Sequence, residues 1–295
     1  MKITTPLNIV LAIAFLLFTF SIAQATPVSL GAASICTVLI VPGGSGNNLN
    51  INGGAAVNGN VCVSSGQQLN LGGGAKVGST AGTDNVVSGI IYTDPNAAGI
   101  KLNGQNPASV VVKDLSQAVN DAFAANTAAA GLTPTQNFND IDVGAGTFTI
   151  NGNGGLNVIN VSNDIKLHGS GILALSGGAN DQFVLNITGT YTQSSTSNVV
   201  LQGGVSRSNV LWNFIGTGQG ANIGGSGVTR GIFLSPFRDF NMTDMILFGQ
   251  IIARGNLGIQ SQALVVPEGG STLALLGIGL IGILALRRKL ASPRA

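Results

Sequence analysis

The chain is poor in the side chains that most catalysis needs. It has one histidine, His168, and one glutamate, Glu268, among 295 residues. A Ser/His/Asp triad would have to use His168, and no pair of glutamates exists for acid–base work. Two cysteines, Cys36 and Cys62, with no His or Cys partner at ligand spacing, exclude a cysteine-built metal centre, and no metal or cofactor is expected. One tryptophan and two tyrosines leave little for an aromatic sugar platform, and Trp212 sits in an apolar strand that gives it a core role. Charged residues make up only 8% of the chain. Between the two hydrophobic ends, eight basic residues face ten aspartates, which leaves no basic footprint for nucleic acid. The mean hydropathy of +0.41 is raised by those ends and does not mark a multi-span membrane protein.

The remaining acid–base candidates are aspartates. Asp140 and Asp142 are two apart, which on a strand puts both on one side, where a carboxylate pair shares a proton or holds a cation. The alternative is a pair of solvated carboxylates in a loop before Gly144. Asp164 and His168, four apart near a turn, are close enough to touch, and Asp84 and Asp94 flank the strand-like Ile90-Ile91-Tyr92 as turn residues. A glycan-active hydrolase or lyase built on Asp140 and Asp142 is therefore the enzymatic alternative. The inventory favours a protein that is not an enzyme.

What the chain has in abundance is glycine, 44 residues of it, set between short apolar-alternating runs such as Val61-Cys62-Val63, Phe148-Thr149-Ile150 and Phe183-Val184-Leu185-Asn186-Ile187. Each run is a strand signal bounded by turn formers. Leu49-Asn50-Ile51-Asn52-Gly53-Gly54-Ala55 aligns without a gap on Leu69-Asn70-Leu71-Gly72-Gly73-Gly74-Ala75, and Gly231-Ile232-Phe233-Leu234 echoes Gly249-Gln250-Ile251-Ile252. Repeats of about twenty residues with Gly and Asn at corners predict an all-β, right-handed β-solenoid, in which inward Leu, Ile and Val stack into a continuous core. A β-sandwich is the competing architecture. Glycine disappears between Lys113 and Ala130, where Leu115, Ala118, Val119, Ala122 and Phe123 fall at helical spacing. That predicts one α-helix over 114–130, N-capped by Asp114 or Ser116 and lying along the solenoid's flank. In an exported chain Cys36 and Cys62 are placed to form a disulfide clasping the first coils, or to stay reduced and buried.

Both ends predict export. Lys2 precedes an apolar segment from Leu7 to Ile22, and Ala23-Gln24-Ala25 supplies a small-x-small cleavage site before Thr26. Residues 1–25 read as a signal peptide, or as an uncleaved anchor; 26–264 form the surface domain. At the other end come Val266-Pro267-Glu268-Gly269-Gly270-Ser271-Thr272, an uncharged run from Leu273 to Leu286, and Arg287-Arg288-Lys289. Fourteen helical residues reach only about 21 Å of the roughly 30 Å hydrocarbon core, so Thr272 and the arginine stems must extend a transmembrane helix over 272–286. The basic stop places the C-terminus in the cytoplasm.

This layout over 265–295 resembles the PEP-CTERM class of bacterial sorting signals, in its Val-Pro-Asp/Glu-Gly-Gly-Ser-Thr variant. The resemblance implies processing by an exosortase-type membrane protease and a route through the inner membrane to the cell surface or extracellular matrix. Val210-Leu211-Trp212-Asn213-Phe214, then Gly231-Ile232-Phe233-Leu234-Ser235-Pro236 and Gly249-Gln250-Ile251-Ile252-Ala253, are similar to the ending of the choice-of-anchor A family. The order of rungs, one long helix and more rungs is also similar to the ice-binding-like adhesion fold, whose flat face binds ordered water or a carbohydrate surface. Regular Thr-x-Thr ladders do not recur. Together these features predict a structural or adhesive surface protein with an exopolysaccharide or other surface ligand, and an ice-binding-like adhesin as a further alternative.

Overall fold

The computed structural model describes residues 27–43, 46–78, 89–103 and 109–267. The signal segment with Ala23, Ala25 and Thr26, the sorting motif from Glu268 onward, the apolar run and the basic stop lie outside the described residues. Among the described residues no helix is long and apolar enough to cross a membrane.

Short strands wind into coils of three. A 3-10 turn at Gly31–Ile35 leads into β1 (Val38–Val41), β2 (Asn48–Ile51) and β3 (Ala56–Val57). The next coils hold β4 (Val61–Val63), β5 (Gln68–Leu71) and β6 (Lys76–Val77), then β7 (Ile91–Thr93) and β8 (Gly99–Lys101), before β9 (Val110–Val112). Helix α1 (Ser116–Ala130) separates these from a second series. That series starts with β10 (Gln136–Phe138), β11 (Ile141–Val143) and β12 (Thr147–Asn151), followed by β13 (Leu156–Val161), β14 (Ile165–Leu167) and β15 (Ile172–Ser176). It continues with β16 (Gln182–Ile187), β17 (Tyr191–Gln193), β18 (Asn198–Gln202), β19 (Val210–Phe214) and β20 (Gly218–Gly224). The last strands are β21 (Val228–Ser235), β22 (Arg238–Thr243), β23 (Ile246–Arg254), β24 (Leu257–Gln260) and β25 (Leu264–Val266).

The ladders are parallel, which excludes the β-sandwich, whose sheets are antiparallel. Three faces result. The first is β10-β13-β16-β19-β21-β23-β1-β4-β7-β9, the second β11-β14-β17-β20-β22-β24-β2-β5-β8, and the third β12-β15-β18-β21-β23-β25-β3-β6. Both sequence repeats are in register, Leu49 against Leu69 and Gly231 against Gly249. The glycine pair has a specific task. Strands β21 and β23 serve two faces, and they turn the corner between them at Gly231 and Gly249 without a loop. Gly231 has φ +112°, and a Cβ there would lie 2.8 Å from Trp212 Nε1; one on Gly249 would lie 1.8 Å from the Gly231 carbonyl oxygen.

Stacking order departs from chain order. Ile251 of β23 pairs with Val38 of β1, so the N-terminal coils sit beyond the C-terminal ones. Helix α1 makes the return. Its fifteen residues span about 22 Å, nearly five coils at ~4.8 Å each. It starts at Ser116, not Asp114: the Asp114 carboxylate lies before the helix and accepts the Ser116 N–H at 2.8 Å. Ala118, Ala122, Ala125 and Ala129 form the buried stripe, whereas Val119 and Phe123 lie at its margin, Phe123 packing on Phe237 at 5.0 Å between ring centroids. An amide ladder fastens the helix to the first face. Asn126 Nδ2 donates to Asn213 Oδ1 at 2.6 Å and to the Phe214 carbonyl at 2.9 Å. Asn213 Nδ2 donates to Asn186 Oδ1 at 2.8 Å and to the Asn126 carbonyl, and Asn186 Nδ2 donates to the Ala129 carbonyl at 2.9 Å.

Inward positions stack into columns. One runs Gln136, Ile159, Leu185, Trp212, Phe233, Ile251, Val38, Val61, Ile91, Val110 in continuous register. Its middle is fully buried, each large side chain contributing about 1.5–3 kcal/mol. Trp212 is part of an aromatic cluster with Tyr191 and Phe233 and donates its indole N–H to the Arg230 carbonyl at 2.8 Å. Cys36 and Cys62 are disulfide-bonded, joining the first coil to the second.

Candidate functional site

Helix α1 covers the first face, and the chain leaves β25 at Pro267 on the third. Outside, the third face mixes half-buried apolar side chains, among them Ile172, Val200, Val228, Ile246, Phe248, Leu264 and Val266, with exposed Thr147, Thr149, Asn151, Gln202 and Lys76, and Arg207 and Arg230 lie over Phe248 at 5.4 and 5.8 Å. Among the described residues the second face bears neither helix nor chain exit. Side chains alternate along a strand, so one residue of each strand points outward at the centre. Across this face those residues are Asp142, Lys166, Thr192, Asn222, Asn241, Gly258, Asn50, Asn70 and Lys101, each opposite the next.

The row has a neutral centre and charged ends. From Thr192 to Asn70 it is uncharged and short, with four asparagines whose amides each donate and accept. Asn70 Nδ2 donates to Asn50 Oδ1 at 2.9 Å, which orders neighbouring rungs. Asn241 leans over Gly258, where a Cβ would meet its Oδ1 at 2.7 Å. The spacing is set by backbone geometry, ~4.8 Å between strands and ~6.7 Å between alternate residues. Such an array is flat and periodic rather than concave. It suits an extended ordered surface, not a small molecule.

The sequence-predicted acid–base residues gather at the β11 end. Asp142 is outward on β11, and its Oδ1 accepts from His168 Nε2 on the adjacent coil at 2.9 Å. Asp140 lies just before β11, its carboxylate accepting the Asp164 backbone N–H at 3.1 Å and the Asn139 amide at 2.8 Å. Asp164 does not meet His168. It accepts the Thr190 N–H at 2.8 Å, which holds its carboxyl below the usual range, and pairs with Lys166 at 3.1 Å. Asp142 and His168 are each more than half exposed, at 58% and 57%, on the outer coils. A groove of about 450 Å³ lies elsewhere, against the N-terminus of α1, lined by Pro42, Asp94, Asp114 and Leu115. Asp94 is buried there as a turn residue, accepting the Asn96 and Leu115 N–H groups. Among the described residues no group of three His, Cys, Asp or Glu is placed to hold a metal. The asparagine row escaped sequence reasoning, although Asn50 and Asn70 stand at equivalent positions of the twenty-residue repeat.

No curated protein matches the chain. Solved structures share the fold. The DUF3494 domain of a Shewanella frigidimarina ice-binding protein superposes with a TM-score of 0.58 at 19% identity, over 83% of this chain and 100% of that one. A glycosylated ice-binding protein (LeIBP) from Arctic yeast gives 0.53 at 16% identity, over 83% and 96%. The ice-binding protein of the Antarctic ascomycete Antarctomyces psychrotrophicus gives 0.52 at 19%, over 82% and 99%. A VPDSG-CTERM motif matches residues 266–290, so the C-terminus carries a sorting signal of the PEP-CTERM-like kind. The choice-of-anchor A resemblance does not hold: the glycine-led strands it rested on are β21 and β23, whose glycines turn a solenoid corner within a different family. That family is not an enzyme family, and its match tells against the hydrolase or lyase reading of Asp140 and Asp142. The Ice-binding-like description matches residues 44–265, taking in α1 and every strand from β2 to β24, and the chain belongs to the ice-binding-like family.

Proposed function

We propose that this is an exported, surface-attached protein that adheres to ice through the second face of its solenoid. The observation that carries the reading is the row from Thr192 to Asn70, neutral, small and in register on a face that, among the described residues, bears neither helix nor chain exit. A crystalline water surface presents repeated donors and acceptors, and only a rigid array with matching repetition engages many of them without ordering loops on binding. The parallel ladders supply that rigidity. No aromatic side chain stands in the row to stack on sugar rings, so ice is favoured over a glycan. Residues 1–25 direct export, and 265–295 form the sorting tail, with Val266, Pro267, Glu268, Gly269, Gly270, Ser271 and Thr272 read by an exosortase-type protease while 272–286 and Arg287-Arg288-Lys289 hold the chain in the inner membrane.

The test is uptake into a growing ice front, with retention on chitin, cellulose and bacterial exopolysaccharide measured alongside. Asn222→Lys with Asn241→Lys puts two long charged side chains in the centre of the row and is expected to abolish ice uptake with Tm unchanged; Gln202→Lys on the third face is expected to leave it intact. Uptake that survives the paired substitution removes the face assignment, and retention on a glycan without ice uptake removes the ligand. Pro267→Ala with Glu268→Ala is expected to stop processing and surface delivery.

A further inference from the structure

We propose that the solenoid keeps the first two residues of its sorting motif, Val266 and Pro267, as part of the fold, so that the tail is cut at the Pro267–Glu268 bond or beyond it. The inference rests on the reading of 265–295 as a sorting tail and fixes where that tail is processed. The motif match begins at Val266, yet Val266 is the last residue of β25, where it pairs with Phe248 of β23. On its other side β25 pairs with β3, Leu264 against Ala56 and Val265 against Val57. Both edges of the strand are therefore taken. The Leu264 N–H donates to the Met245 carbonyl at 2.9 Å, and the Val265 carbonyl accepts the Asn58 N–H at 2.8 Å. Pro267 is seated next to it. It walls a recess of about 130 Å³ together with Leu30, Thr37 and Gln250, and its ring lies so close to Gly59 that a Cβ there would be 3.0 Å from Pro267 Cγ.

A protease takes its substrate as an extended segment whose backbone groups pair with the walls of the enzyme's cleft on both sides of the scissile bond. Backbone groups already spent on β23 and β3 are not free to do so. Cutting before Pro267 would require β25 to leave the sheet, which would uncover Val265, Leu247 and Val57, all fully buried. More than one strand is at stake. Among the described strands β25 is what joins β23 to β3 on the third face, so its loss would split that face between the C-terminal and N-terminal coils. The first bond past this clasp is Pro267–Glu268. Hydrolysis breaks a C–N bond and forms a C–O bond: the hydroxyl of water goes to the carbonyl carbon of the retained residue, and its proton to the amine of the released tail. The mature chain then keeps every described strand of the solenoid.

Arg254 is the last basic residue before Arg287, so trypsin applied after denaturation releases the retained C-terminus as one peptide beginning at Gly255, and its mass locates the cut. The full chain in detergent is first treated with proteinase K. The peptide is expected to end at Pro267 or later, and an end upstream of Pro267 overturns the proposal. A second chain, with six glycine and serine residues inserted between Val266 and Pro267, is expected to lose Pro267 to the same digestion. If it keeps Pro267, the resistance of proline and not the fold sets the limit, and the proposal is overturned. The same peptide is then read from protein at the surface of cells that carry an exosortase-type enzyme, where it is again expected to end at Pro267 or later. A surface form that ends at Val266 or upstream overturns the proposal and leaves the sorting reading standing. A surface form that keeps the whole tail overturns both.

Discussion

Asn213→Ala tests whether the amide ladder, rather than the alanine stripe alone, holds α1 on the solenoid. Asn213 is fully buried and its side chain bonds to Asn126 Nδ2, the Asn126 carbonyl and Asn186 Oδ1. Truncation leaves Asn186 Oδ1 and the Asn126 carbonyl without the donor they share, while Asn126 Nδ2 retains the Phe214 carbonyl. A buried polar group left without its partner costs about 1–3 kcal/mol, so the variant is expected to lose about 2–5 kcal/mol. Asn126→Ala removes the same pair from the helix side. The double variant should therefore cost about 1–2 kcal/mol less than the sum of the two, because the first change already abolishes what the second would break. Urea unfolding followed by Trp212 fluorescence gives the energies, since the only tryptophan is fully buried in the solenoid core. Hydrogen exchange separates helix release from global unfolding: the amides of α1 should lose protection before those of β16 and β19. Additive energies within about 0.5 kcal/mol, with helix protection unchanged, would refute the ladder as the fastening.

Three further outcomes are expected. Gly231→Ala forces a side chain into φ +112° and against Trp212 Nε1 and the Val210 carbonyl, and should cost about 3 kcal/mol, read as a fall in the urea midpoint at constant m. Cys36→Ala with Cys62→Ala opens a link between residues 26 apart and should lose about 3.5 kcal/mol on the chain-entropy scale, checked by the same unfolding curves with and without reductant. Asp181 has its carboxyl held below the ordinary value, first by the Asn157 amide and then by the Gly178 and Gly154 N–H groups. Its folded-state pKa is depressed, so its contribution is complete above the unfolded value of about 3.9 and disappears as pH falls through the folded value. The melting temperature should drop on acidification below about pH 4 in the native chain and less steeply in Asp181→Asn; parallel curves would remove Asp181 from the acid transition.

The elements were legible where one stretch of chain decides them. The twenty-residue and eighteen-residue repeats mark strands that pair in register, and the glycine-free stretch after Lys113 marks the one α-helix among the described residues. The order in which the coils stack was not legible. Each coil offers similar parallel edges, so local pattern cannot say that β23 pairs with β1. The helix begins at Ser116 with Asp114 accepting its N–H from outside, and the burial of Asn126 depends on Asn213, 87 positions away, which no local pattern shows. Asp164 and His168 looked like a local pair by sequence distance. On a solenoid the nearest neighbour of an outward side chain is on the next coil, and His168 turns to Asp142, 26 residues back. Arg238 shows the same limit: a buried guanidinium donating to the Thr188, Gly189, Ile215 and Gly216 carbonyls joins two corners that no local motif connects.

That out-of-order stacking bears on how a tethered solenoid could work. If the coils stacked in chain order, the last strand would stand at an end of the stack, and a tail beyond it would hold the protein upright by that end. Instead β25 lies between β23 and β3, inside the third face, at the coil of β24, sixth of nine on the second face. On the proposed reading, a tail that follows Pro267 departs from within the third face and not from the second, and the helix on the first face is what lets the N-terminal coils stack beyond that point.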